Sequence, residues 1–122
     1  MKREELMIND WVSLDGEPIQ VAGLQGRKVG VHKRRRSIYC SWHLDSEFQP
    51  IPLTEEILVK NGFKKESQTI DGDYCKYTLP GFALNWCDTD GFWYQNGDIT
   101  PNHVHQLQHL LRLAGIDKEI EL

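Results

Sequence analysis

No run in this chain comes near the roughly 18 consecutive apolar residues of a membrane-spanning helix, so no such span is expected. The first ten residues mix Lys2, Arg3, Glu4 and Glu5 with Leu6 and Ile8, which gives no apolar segment for a secretion signal. Cysteine is scarce: Cys40, Cys75 and Cys87 are odd in number, none stands in a C-x-x-C pair, and each lies among strand-forming residues. That argues against a disulfide scaffold or a cysteine zinc site, and reads as reduced, packed thiols in a cytoplasm. Also missing are G-x-S-x-G, G-x-x-x-x-G-K-[ST] and G-x-G-x-x-G, so acyl, phosphoryl and hydride transfer lose their usual signposts. Internal repeats, low-complexity tracts and long linkers are lacking too, which leaves the 122 residues as one expected domain, 1–122.

What is present is a chain 39% hydrophobic and 26% charged, apolar enough to fold into a globule and too polar for a membrane protein. Its formal charge is -4, yet residues 27–36 hold Arg27, Lys28, Lys33, Arg34, Arg35 and Arg36 and no acid, a local charge of +6. The remainder carries 8 basic and 18 acidic residues.

The alternation of strand-forming runs with turn signals predicts an α+β fold. Within 8–49, short β-branched or aromatic runs are separated by Asp15-Gly16 and Gln25-Gly26, and predict four strands of an antiparallel meander that curls into a small SH3-like barrel. Residues 50–62 form a connector and a short helix: Pro50-Ile51-Pro52 forces extended backbone, Thr54 caps, Glu55 and Glu56 suit the helix dipole, and Gly62 stops the turn. A second antiparallel sheet is expected over 63–99, punctuated by Pro80-Gly81 and Asp90-Gly91. The clearest helix spans 100–115, capped at Thr100-Pro101 and closed by Gly115 and Ile116, with Val104, Leu107, Leu110, Leu111 and Ala114 as its apolar stripe.

Few residues group into a site with chemistry. His105 and His109 stand four apart, a spacing that lets two imidazoles reach one metal ion, but they fall opposite the Leu107 and Leu111 stripe and predict a solvated face. Asp88-Thr89-Asp90-Gly91 has alternating carboxylates like a calcium loop, with the glycine two positions early and Ile99 where a bidentate Glu belongs, so it reads as a hairpin turn. The basic run beside Tyr39 and Trp42 offers charge for phosphates and rings for bases, a candidate nucleic-acid or acidic-partner surface of Arg27, Lys28, Lys33, Arg34, Arg35, Arg36 and Trp42. Against it stands a whole-chain pI of about 5.7. Phe92, Trp93 and Tyr94 are consecutive, so a strand must turn at least one ring outward, which makes Trp93, with His105 and His109, a candidate partner-contact face.

Ile8-Asn9-Asp10-Trp11-Val12, Pro50-Ile51-Pro52-Leu53-Thr54-Glu55-Glu56-Ile57-Leu58 with Gly62-Phe63, an aromatic strand ending Asn96-Gly97, and Val104-His105-Gln106-Leu107-Gln108 follow one another along the chain. In these segments it resembles a family of short uncharacterised proteins from gut bacteria and their phages or mobile elements. The resemblance implies a setting in mobile-element biology and carries no activity, cofactor or catalytic residue with it. The basic run lies outside the matching segments.

The sequence thus favours a non-enzymatic binding or adaptor protein with a protein partner, no cofactor and no membrane contact. The alternative is nucleic-acid binding through 27–36. A third reading, an enzyme, requires a cysteine and a histidine to meet in the fold.

Overall fold

The computed structural model describes residues 1–32, 40–67, 73–94 and 99–122. Two compact units emerge, Met1–Ile51 and Pro52–Leu122.

In the first unit, β1 (Trp11–Leu14) reverses into β2 (Glu17–Gln25) through Asp15 and Gly16, both at positive φ, which suits a two-residue hairpin turn matched to strand twist. A second reversal, with positive φ at Gly26 only, leads to β3 (Lys28–Val31). Then come β4 (Ser41–Leu44), a 3-10 turn at Asp45–Glu47 and β5 (Phe48–Gln49). All pairs are antiparallel, in the order β4-β3-β2-β1-β5. A register shift between Val21 and Gly23 lets the long β2 serve β1 with one half and β3 with the other, and such a bulge bends the sheet. The result is a curled half-barrel; among the described residues no ladder joins β4 to β5. Leu6, Val12, Val21, Val29, Val31 and Phe48 fill its inside. The sequence run 37–42 supplies the fourth strand; its residues 37–39 lie outside the described ones, and the strand continues to Leu44, where its ladder with β3 ends on the pair Lys28 and Leu44.

In the second unit, the Thr54 hydroxyl accepts the Ile57 N–H at 3.3 Å to start α1 (Glu55–Lys60). At its end Gly62, at φ 88, lets Phe63 N–H reach the Leu58 carbonyl and its own N–H reach that of Val59. The buried Asn61 side chain then holds both backbone groups of Glu121, at 2.8 and 2.7 Å, and donates to the Ile57 carbonyl at 2.7 Å. Next, β6 (Lys64–Ser67), β7 (Tyr74–Leu79), β8 (Phe82–Cys87) and β9 (Gly91–Trp93) form an antiparallel meander. Its inner side is Cys75, Tyr77, Phe82, Leu84 and Phe92, all buried.

The last helix, α2 (Val104–Leu113), ends as expected on Gly115 and Ile116, whose N–H groups return to Arg112 and Leu111. Its start differs from the expectation at Thr100-Pro101. Residues 101–103 stay outside the helix because Leu53 N–H bonds the Asn102 carbonyl at 2.9 Å and Pro52 bridges His103. His103 is therefore the cap, and Gln106 Oε1 accepts the N–H groups of Asn102 and His103, each at 3.0 Å. Ala114 ends up exposed rather than in the stripe. A Cβ on Gly91 would meet Asn102 and one on Gly81 would meet Ile116, so α2 runs along β8 from one hairpin turn to the other.

Candidate functional site

Burial on β4 alternates: Ser41 and His43 are half-buried, while Trp42 and Leu44 turn outward at 46% and 48% exposure. Register puts Gly23, Gly30 and Trp42 in one row across β2, β3 and β4, with Lys28 and Leu44 in the next. The Trp42 indole lies on the two glycines. A Cβ on Gly23 would come within 3.0 Å of its Cη2, and one on Gly30 within 3.2 Å of both Cη2 and Cζ3. Neither glycine has positive φ, so the ring rather than the backbone demands the missing side chains. One side of the ring is thereby supported by the sheet, and nearly half of the residue stays open to solvent.

The outward residues of this stretch, Gly23, Gln25, Lys28, Gly30, Trp42 and Leu44, include no acid. Lys28 and Arg27 stand at its rim, both exposed. Two carboxylates occur just beyond β4, and both are engaged. Asp45, itself buried, accepts the Arg3 N–H at 3.1 Å and faces the Arg27 guanidinium at 3.5 Å. Glu47 accepts the Leu44 N–H at 2.7 Å and lies 3.7 Å from His43. Lys33, Arg34, Arg35, Arg36 and Tyr39 lie outside the described residues.

The structure does bring a cysteine and a histidine together beside this face. Cys40 Sγ sits 4.0 Å from both Nδ1 and Nε2 of His32. Equal distances mean that the sulfur is aimed at neither nitrogen, whereas a nucleophile and its base share one directed hydrogen bond. Cys75 is buried, and Cys87 accepts the Asp90 N–H at 3.3 Å inside the turn at 88–90.

The second candidate face does not hold as a solvated surface. His105 is only 4% exposed, and six of the ten residues of α2 are buried, Gln108 among them. The extended His103 at the helix cap accounts for this: its ring stacks on His105 at 5.9 Å, and His109 meets His105 edge-on at 5.7 Å. Trp93, half-buried, instead pairs with Tyr74 at 5.5 Å on the outward side of β7–β9, where the Tyr74 hydroxyl bonds Asn85 at 2.9 Å.

One polar cluster was not foreseen. Lys65 Nζ lies 2.7 Å from Glu55 Oε1, and that hydrogen bond holds the ammonium above its ordinary pKa. The Tyr77 phenol, paired with Lys65 across β6 and β7, is also pushed up, first by burial and then by the charge of Glu55. It depends on strand register, which has no local signal in the sequence.

Among the described residues no group of three or more His, Cys, Asp or Glu is placed to hold a metal ion. No described helix is long and apolar enough to cross a membrane. Comparison with protein-family models, with curated proteins and with solved structures finds no match.

Proposed function

We propose that this chain is a non-enzymatic binding protein that meets its partner through the Trp42 face of an SH3-like first unit. The observation that carries this reading is the indole laid on Gly23 and Gly30 in a residue nearly half exposed. Glycine inside a strand costs about 0.5–1 kcal/mol against alanine, and here two in register do so to seat one ring. Held rings of this kind supply much of the binding energy at interfaces, because they bring area without much loss of rotamer freedom. The resemblance to proteins of phages and mobile elements fits a small accessory binder.

Oxidative footprinting tests it. Trp42 in the free protein should oxidise readily, and a host fraction that retains the protein should shield it, with retention lost in Trp42→Ala. Retention that ignores this substitution would place the contact elsewhere. Turnover of a small substrate lost in Cys40→Ala would replace the reading with an enzyme built on His32 and Cys40.

A further inference from the structure

We infer that the ligand of the Trp42 face is single-stranded nucleic acid, with a base stacked on the open side of the indole and Lys28 and Arg27 meeting the flanking phosphates. The inference rests on the binding reading above and names its ligand class.

The ring rests against Gly23 and Gly30 through its Cε3, Cζ3, Cη2 and Cζ2 atoms while the residue keeps 46% of its surface exposed, which leaves ring surface for a base. Every base has a face to stack on such a platform, and a duplex does not, since its bases are already stacked on one another. The outward side of β2–β4 carries Lys28 and no acid among its described residues, so a polyanion meets no opposing charge there. The carboxylates just beyond β4, Asp45 and Glu47, are engaged by the Arg3 N–H and Arg27 and by the Leu44 N–H and His43. Arg27 keeps 76% of its side chain exposed despite that pair, so its guanidinium has room for a phosphate. By sequence the first unit holds eight basic and seven acidic residues, four of the basic ones in 33–36 outside the described residues, against six basic and eleven acidic in the second, so its segment repels a polyanion less.

The test is fluorescence anisotropy of a labelled oligothymidylate against the full chain over a series of salt concentrations. The wild type should bind, and log K should fall linearly with log salt. Trp42→Ala should weaken binding about tenfold or more, and Trp42→Phe, which keeps a smaller ring, should fall between, so that a folding defect in the alanine variant does not decide the outcome. Lys28→Ser and Arg27→Ser should each flatten the salt slope by about one. Binding that is indifferent to Trp42→Ala and Trp42→Phe overturns the assignment. So does the absence of any binding at low salt. In that case, shielding of Trp42 by a host protein would leave the binding reading standing with a protein ligand, and no shielding from any source would remove both.

Discussion

Because the indole of Trp42 is what requires glycine at position 30, replacing Gly30 by alanine should change sign with the residue at position 42. With Trp42 present, the new Cβ lies 3.2 Å from two ring carbons, inside the optimum of about 3.5–4.0 Å. The ring must tip outward. Overpacking of this kind costs about 1–3 kcal/mol. A ceiling comes from the burial given up: some 100 Å² of indole at about 25 cal/mol per Å² is roughly 2.5 kcal/mol, less once a compact unfolded chain is allowed for. Set against the strand preference for alanine, Gly30→Ala should destabilise the first unit by about 1–2 kcal/mol. In a Trp42→Ala background nothing opposes the Cβ, and Gly30→Ala should stabilise by about 0.5–1 kcal/mol. The coupling of about 1.5–3 kcal/mol lies in the range of residues in direct contact. Since the chain has two compact units, unfolding by urea is best followed on fluorine resonances of 5-fluorotryptophan at Trp11 and Trp42, both in the first. The same sign in both backgrounds would refute the seating of the ring.

Three further outcomes follow from the second unit. Asn61→Ala should cost about 2–3 kcal/mol, since it strands both backbone groups of Glu121 while the Ile57 carbonyl keeps the backbone N–H of residue 61, and hydrogen exchange should show residues 117–122 opening first; unchanged protection there would contradict the clamp. Gly62→Ala should cost about 1–2 kcal/mol because φ is 88 at that position, measurable as a lower urea midpoint. Lys65 and Tyr77 both hold their protons more tightly in the folded chain, so the stability they add is full below about pH 10 and is lost as pH climbs through the folded values. Urea midpoints should therefore fall on the alkaline side, and Glu55→Gln should shrink that fall; an equal fall in both proteins would count against the cluster.

The parts of the fold set by neighbours in the chain were legible. Thr54 capping Ile57, Gly62 releasing Phe63 and Gly115 releasing Ile116 each depend on a handful of adjacent residues, and each is where the sequence puts it. The α+β pattern of two antiparallel sheets and a closing helix followed from the same local signals. What depends on distant pairing was not legible. The start of α2 moved to His103 because Pro52 and Leu53 hold Asn102 and His103 out of the helix. His105 looked wet because a helical wheel counts only the helix, and the His103 ring comes from outside it. Trp42 was singled out for the cations beside it in sequence, while its glycine seat exists only once β2, β3 and β4 fall into register.

The most direct test watches the ring itself. In protein labelled with 5-fluorotryptophan, titration with oligothymidylate should shift the Trp42 resonance while those of Trp11, Trp86 and Trp93 hold their positions, since a base lying over an indole changes the shielding of that ring alone. A Trp42 resonance that stays still while any other moves, or while the oligonucleotide binds, would contradict the claim that its open side is where the ligand sits.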